Sequence, residues 1–135
     1  MATYRGRGSS SYSVGEAPPL VEWTVVRGDT SAFRVYVTDD AQQPLNIPDW
    51  TIQMEMKRPN TKPGEITDDA VLLFNLYPLQ DANDGPGEFT VSLKASESQI
   101  LETGDIWDIE LSLPQDEIVW TVAQGKMKIL EDVTA

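Results

Sequence analysis

Hydrophobic and polar residues alternate along most of the chain from Leu20 onward. The pattern is clearest in the segments that begin near Val21, Phe33, Trp50, Phe89 and Trp107. Successive side chains of a β-strand point to opposite faces of the sheet, so a period of two residues indicates a strand with one buried face. The alternation therefore predicts a domain built from β-strands.

Polar segments rich in glycine, proline and aspartate separate the alternating stretches. Residues 58–69 and 81–87 are predicted to be loops for this reason, the second of them a hairpin loop. Residues 71–76 form a short and nearly all-apolar strand between them. Residues 95–101 suit one or two helical turns, with Ser96 as the candidate N-cap.

Seven or eight closely spaced strands and one short helix predict an all-β fold, an antiparallel and immunoglobulin-like β-sandwich. Apolar residues of shared strand parity form its predicted core, which includes Phe33, Val35, Ile52, Phe89, Val91, Ile109 and Leu111. In the last strand the apolar positions change parity between Val122 and Met127. One extra residue at Gly125, a β-bulge, would account for this change.

Residues 1–19 differ in composition from the β-sandwich domain predicted for residues 20–135. They are rich in glycine, serine, arginine and tyrosine and end in Pro18-Pro19, so we expect a flexible, extended N-terminal arm. Basic and aromatic residues together can suit nucleic acid. Docking on a neighbouring subunit is the better interpretation, and the residues predicted to make that interface are Tyr4, Arg5, Arg7 and Tyr12.

Charge supports this interpretation of the arm. The 135 residues carry a formal net charge of −12. Residues 1–20 contain two arginines and one glutamate, which leaves 8 of the 10 basic residues and 21 of the 22 acidic residues in the rest of the chain. So acidic a body repels nucleic acid and anionic membranes, and we expect neither as a partner.

Composition also narrows the chemistry that the chain can perform. There is no cysteine and no histidine, which removes disulfides, thiolate metal sites and the commonest general base. We expect no cofactor. No apolar run approaches the roughly 20 residues of a membrane-spanning helix, and the N-terminal segment lacks the apolar centre of a signal peptide. These features predict a soluble protein of the cytoplasm or of particles assembled there.

Two short motifs have both a functional and a structural interpretation. Arg27-Gly28-Asp29 matches the tripeptide that integrins bind, but it lies between two strand patterns, where Gly-Asp favours a turn. Asp81-Ala82-Asn83-Asp84-Gly85 resembles the start of a calcium loop. Gly85 stands where such a loop needs a ligand, and the closing glutamate is missing, so a hairpin loop is favoured. Weak calcium binding by an acidic loop stays open.

Three acidic residues, Asp105, Asp108 and Glu110, are the candidates for acid–base chemistry. Asp108 and Glu110 share a strand face about 7 Å apart, a separation that suits glycoside hydrolysis. Both fall on the polar side of an alternating strand, so a solvated face is the favoured interpretation. Lys126 and Lys128 are expected to pair with this acidic face.

The four tryptophans, Trp23, Trp50, Trp107 and Trp120, could form a carbohydrate platform. All four stand at positions that are expected to point inward together with aliphatic residues of the same strands. A place in the core or in a subunit interface is therefore favoured.

Three segments together resemble a known family. Gly28-Asp29-Thr30 precedes an alternating strand, Gly104-Asp105-Ile106-Trp107-Asp108 begins another, and Gln124–Thr134 forms a glycine-interrupted last strand that ends in Asp-Val-Thr. In this order and spacing they resemble small virion structural proteins of tailed bacteriophages. That family includes domains similar to the N-terminal β-sandwich of phage upper-baseplate proteins. The resemblance covers residues 22–134.

The resemblance implies a non-enzymatic virion protein that binds neighbouring subunits in a neck, tail, baseplate or head-surface assembly. Its expected partners are other virion proteins and copies of itself, and its expected location is the virion, assembled in the host cytoplasm. An alternative is a receptor- or glycan-binding module of a phage particle, and a third hypothesis is a hydrolase that uses carboxylates alone. Removal of residues 1–17 is expected to leave a soluble, folded monomer that no longer enters particles.

Overall fold

The alternating segments form strands in the computed structural model, which describes residues 2–5, 11–14, 18–39 and 41–131. The strands are β1 (Ala2–Arg5), β2 (Ser11–Val14), β3 (Leu20–Val26), β4 (Ser31–Tyr36), β5 (Thr51–Pro59), β6 (Ala70–Leu76), β7 (Glu88–Leu93), β8 (Ile106–Leu113) and β9 (Ile118–Leu130). One helix, α1 (Ala95–Ile100), and two 3-10 turns (Ile47–Asp49 and Pro114–Asp116) complete the elements. The all-β prediction is confirmed.

The strands of the body form two sheets. The larger sheet has five strands in the order β3-β9-β8-β5-β6, and the smaller sheet pairs β4 with β7. The 3-10 turn Pro114–Asp116 joins β8 to β9 as a hairpin. The loop at residues 81–87 is different, because it connects β6 of one sheet with β7 of the other. An antiparallel bridge between Leu79 and Thr90 closes this loop in the manner of a hairpin.

One strand pair departs from the antiparallel arrangement predicted for the body. β3 pairs with β9 in parallel, with Leu20 opposite Gln124 and Val26 opposite Leu130. Parallel neighbours need a long crossover connection, and the first and last strands of the body have almost the whole domain between them. Alternation along a strand indicates which face is buried, but not whether the neighbouring strand runs parallel or antiparallel. The sequence pattern therefore could not reveal this parallel pair.

The two sheets share one buried core. Ile52, Phe89, Val91, Ile109 and Leu111 are buried, as predicted. Phe33 and Val35 were also placed in the core, and they are partly buried and pack against it. Aromatic rings connect the sheets, since the Phe33 ring lies 4.6 Å from that of Trp23 and 5.8 Å from that of Trp107.

The predicted β-bulge exists but lies three residues earlier than expected. Ile109 faces Ala123 and Glu110 faces Thr121, which leaves Val122 as the extra residue of β9. Gly125 meets another requirement. A Cβ atom there would lie 2.7 Å from Cζ2 of Trp107 and would also collide with the Val21 carbonyl oxygen. Glycine thus permits β9 to lie close to both Trp107 and β3.

The short helix begins one residue before the predicted cap. Lys94 occupies the N-cap position, and Ser96 lies inside α1. The backbone N–H of Lys94 donates to a carboxylate oxygen of Glu97 at 2.8 Å, which satisfies one of the free donors at the start of the helix. No helix in the described segments is long and apolar enough to cross a membrane.

The N-terminal arm contains a hairpin of its own. β1 and β2 pair antiparallel, with Tyr4 opposite Tyr12 and Arg5 opposite Ser11. The arm meets the body where the carbonyl oxygen of Pro19 accepts a hydrogen bond from the backbone N–H of Gln124 at 3.1 Å. The division into an arm at 1–19 and a domain at 20–135 stays a prediction.

Candidate functional site

Three of the four residues predicted to form a subunit interface lie on the strands of the arm hairpin. Tyr4 and Arg5 lie on β1 and Tyr12 lies on β2, so the pairing of these strands brings the two tyrosine positions opposite each other. Arg7 lies outside the described residues. The assignment of these four residues to an interface stays a prediction.

The segment at residues 27–29 forms a turn that is held against α1. Gly28 adopts a φ of +84°, a conformation that favours glycine. The guanidinium of Arg27 donates to the carbonyl oxygens of Gln99 and Leu101 at 2.9 Å each and pairs with Glu131 at 3.1 Å. It therefore satisfies carbonyl groups at the end of the helix. The turn interpretation is confirmed, and Arg27 holds the turn against α1.

The acidic side chains of the segment at residues 81–85 hold the loop itself and connect it to β4 and β7. The backbone N–H of Asn83 donates to Asp81 at 2.8 Å, and the Thr90 hydroxyl donates to Asp84 at 2.8 Å. Arg34 also lies 3.3 Å from the Asp84 carboxylate. The described residues contain no group of three or more acidic side chains arranged to hold a metal ion.

Asp105 is a structural carboxylate at the start of β8. It is 1% exposed, and its two oxygens accept hydrogen bonds from the Arg58 guanidinium at 2.8 and 2.9 Å. The backbone N–H of Glu102 donates to it at 2.8 Å. Two parallel bonds of this kind are among the strongest that proteins make. Asp105 therefore fixes β5 to the loop before β8.

The other two acidic candidates lie on the outer face of the five-stranded sheet. Asp108 faces Glu55 across the β5–β8 pair, and Glu110 faces Gln53. The nearby positive charge comes from Lys57, whose Nζ lies 3.9 Å from a Glu55 oxygen. We call Glu55, Lys57, Asp108 and Glu110 the outer-face cluster.

The lysines predicted to pair with this acidic face lie elsewhere. Lys126 is 3.9 Å from Glu22 on the neighbouring strand β3. Lys128 lies opposite Thr24 of that strand and so reaches beyond the start of β8. The expectation about Lys126 and Lys128 is wrong, because shared parity does not give the register of the β8–β9 pair, in which Lys126 lies opposite Ile106 and Gln124 lies opposite Asp108.

Burial raises the pKa of Asp108 above its usual value of 3.8; the charge of Lys57 opposes this effect and that of Glu55 adds to it. Burial also raises the pKa of Glu110, and the charges of Asp108 and Glu55 contribute in the same direction. One carboxylate oxygen of Asp108 is buried without a hydrogen-bond partner among the described residues. The cluster thus holds negative charge in a partly dehydrated place.

An open cavity of about 250 Å³ lies beside this cluster. Its lining includes Lys57 and Asp108 from the sheet and Thr67 and Asp68 from the loop that follows β5. Glu110 is not among the residues that line it, so the two carboxylates of the hydrolase hypothesis do not share this cavity. The arrangement offers hydrogen-bond acceptors and one ammonium group to a contacting molecule.

The tryptophans occupy the predicted inner positions. Trp23, Trp50 and Trp107 are buried, and the half-buried Trp120 packs against Trp50 with their rings 6.1 Å apart. The core interpretation is confirmed for the three buried rings.

The large apolar side chains that the structure leaves exposed are a different set, and the sequence pattern did not single them out. Two of them, Val71 and Leu72, lie on β6, and Tyr77 and Leu79 follow in the connection to β7. The nearly all-apolar composition of residues 71–76 is the signal that could have directed attention to this surface.

No known family model matches the chain, and no curated protein does either. Function must therefore be inferred from the residues and surfaces of the chain itself.

Proposed function

We propose that this chain is a non-enzymatic structural protein of a tailed-bacteriophage virion. Its body, an immunoglobulin-like β-sandwich, serves as a rigid block, and its N-terminal arm holds neighbouring subunits in a neck, tail, baseplate or head-surface assembly. Other virion proteins and copies of the chain itself are its partners, without nucleic acid or membrane. The protein assembles in the host cytoplasm.

One observation carries this proposal. The described parts of the three segments that resemble the phage family come close together, because Gly28-Asp29-Thr30 follows directly after β3, and β3, β9 and β8 are neighbours in the large sheet. The backbone N–H of Arg27 donates to the Leu130 carbonyl at 2.8 Å, and that of Met127 donates to the Asp105 carbonyl at 2.8 Å. Segments far apart in sequence thus form one contiguous unit of backbone, which supports a shared fold rather than three chance matches.

The distribution of charge supports the role of the arm. Arg5 and Arg7 lie in a segment of net positive charge, whereas the body is strongly acidic. The outer-face cluster adds partly buried carboxylates to that acidic surface. An arginine from another subunit would find acceptors of opposite charge there.

The rival hypotheses have less support. A glycan-binding module needs an exposed aromatic platform, and three of the four tryptophans are core residues. The hydrolase hypothesis needs two of Asp105, Asp108 and Glu110 in one cleft, and these residues are separated into an ion pair with Arg58 and an outer surface.

Quantitative mass spectrometry of purified phage particles tests the proposal. We expect peptides of this chain in the particles at a fixed copy number relative to the other virion proteins. Absence from the particles, with the protein abundant in the lysate of the same infected cells, would contradict the proposal.

A further inference from the structure

A row of polar side chains crosses the outer face of the five-stranded sheet. Asn75 of β6 lies opposite Glu55 of β5, which in turn lies opposite Asp108 of β8. Gln124 of β9 continues the row on the other side of Asp108. Directly opposite residues lie on the same face of a sheet, about 5 Å from each other. We call Asn75, Glu55, Asp108 and Gln124 the polar row.

The polar row is short of hydrogen-bond donors. The side-chain oxygen of Asn75 and one carboxylate oxygen of Asp108 are buried, and neither has a hydrogen-bond partner among the described residues. Both residues are neighbours of Glu55 in the row, so the two oxygens belong to one surface. Buried polar atoms in proteins are normally paired. Two unpaired acceptors in one row therefore indicate a ligand that brings donors.

The same surface has an excess of negative charge. The outer-face cluster contains three carboxylates and one ammonium group, which gives a formal charge of −2. The ammonium group of Lys57 lies 3.9 Å from Glu55, a long distance for an ion pair. Burial raises the pKa of Asp108 and of Glu110, so their charges are incompletely hydrated. Water can hydrogen-bond to these oxygens, but only a cation also offsets the charge.

The lining of the cavity of about 250 Å³ suits an arginine side chain in particular. Ile66 and Ile106 border it together with Asp108 and Gln124, so apolar surface for a methylene stem lies beside acceptors for a charged head. A guanidinium presents five N–H donors in one plane and can bond to several acceptors at once, whereas an ammonium group is a compact and strongly hydrated charge. A metal ion fits less well, because the described residues contain no cluster of three or more acidic side chains arranged to hold one.

We infer that this cavity binds the guanidinium group of an arginine side chain from a neighbouring subunit, with Asp108 and Glu55 as its acceptors. The inference deepens the proposed function, on which it rests for the expectation that the protein acts by contacting other subunits. The formal net charge of −12 favours this occupant, since an acidic body attracts a basic segment and guides its approach.

Titration of the purified full-length protein with N-acetylarginine methylamide, followed by NMR of the backbone amides, tests the inference. We expect saturable shifts at Ile106, Asp108 and Gln124, with a dissociation constant of about 1 mM. The citrulline counterpart is the matched probe, because it has nearly the same shape without the positive charge. It should bind at least about tenfold more weakly.

Asp108→Asn is the decisive variant, because it removes the charge and keeps the shape of the side chain. It should raise the dissociation constant at least about tenfold. Asp49→Asn is the control and should leave binding unchanged, since Asp49 is exposed before the start of β5, whereas the cavity borders Lys57 near the end of that strand. Glu55→Gln supplies a second test if Asp108→Asn does not fold, and thermal unfolding shows whether each variant does.

Three results would each overturn the inference: no saturation at about 10 mM probe, equal binding of the citrulline compound, or an unchanged dissociation constant in folded Asp108→Asn. Shifts that spread over the acidic surface without saturation would do so as well, because they report only charge screening. These measurements use purified protein, so their failure is distinct from failure of the proposed function, which is measured by the content of particles.

Discussion

The two faces of the five-stranded sheet carry different kinds of side chain from the same strand, β8. On the inner face of β8, Trp107, Ile109 and Leu111 are buried in a core that both sheets share. On the outer face, Asp108 and Glu110 are partly buried beside another carboxylate. Burial of apolar side chains on the inner face stabilises the fold. Partial burial of the carboxylates on the outer face lowers the free energy of unfolding.

This loss of stability on the outer face is informative about function. Stability alone would favour neutral or fully hydrated residues at these outer positions. Partly dehydrated carboxylates can instead serve a contact with a positively charged partner, which is the use we propose for them. The inner face should therefore show large effects of substitution on stability, and the outer face small effects of opposite sign.

The largest effect is expected at the centre of the inner face. Ile109 is completely buried, and Ile109→Ala should lower the free energy of unfolding by about 2–5 kcal/mol because it leaves a cavity. Val119→Ala is the control, since Val119 is 59% exposed on β9. Chemical denaturation measures both. A cost near zero at Ile109 would show that the assignment of faces is wrong.

A smaller loss is expected where the sheet ends in a buried ion pair. Arg58→Ala leaves the Asp105 carboxylate buried without its partner and should cost about 2–4 kcal/mol, somewhat less than a fully buried pair because Arg58 is 37% exposed. Lys126→Ala, which removes an exposed pair with Glu22, should change stability by less than about 0.5 kcal/mol. Equal effects of the two substitutions in denaturation experiments would contradict the distinction.

The smallest effect is expected on the outer face, with the opposite sign. The pKa of Asp108 is raised in the folded state, so the folded state binds the proton more tightly than the unfolded state does. The destabilisation by the Asp108 carboxylate is therefore relieved, and the free energy of unfolding increases, as pH falls from neutral towards 3.8. Asp108→Asn should stabilise the protein at pH 7 by up to about 1 kcal/mol and remove this gain on acidification. Unfolding measured as a function of pH tests both parts.

Asp84 supplies the control for that pH dependence. A hydrogen bond from the backbone of Asp81 and another from Thr90 lower the pKa of Asp84. The stability that the Asp84 carboxylate contributes is present above the pKa of Asp84 in the unfolded state. It is lost as pH falls through the pKa of Asp84 in the folded state. Asp84→Asn should therefore destabilise the protein at neutral pH. A stabilising effect of Asp84→Asn, or a destabilising effect of Asp108→Asn, would contradict the assignment of the two environments.

Much of the fold could be predicted because its determinants are local. Alternation placed six strands of the body and identified buried positions such as Ile52 and Phe89, and the apolar run at residues 71–76 placed β6. The Gly-Asp turn at residues 28–29 was predicted for the same reason, since a glycine between two strand patterns reports a local backbone requirement.

Features that depend on distant partners could not be predicted. Asp105 and Asp108 look alike in the sequence, yet one meets Arg58 and the other lacks a partner for one oxygen in the described structure. The parallel β3–β9 pair and the position of Val122 at the bulge depend on which strands become neighbours. The polar row across the outer face likewise becomes visible only when the order of strands in the sheet is known.

The central claim is that the chain works by tying neighbouring subunits together through its arm. The most direct test compares incorporation of the full-length protein and of a variant without residues 1–17 into particles that lack the native copy. We predict that the variant folds with an unchanged thermal transition and is absent from purified particles. Incorporation at the normal copy number, or an arm that packs only on its own domain, would contradict the claim.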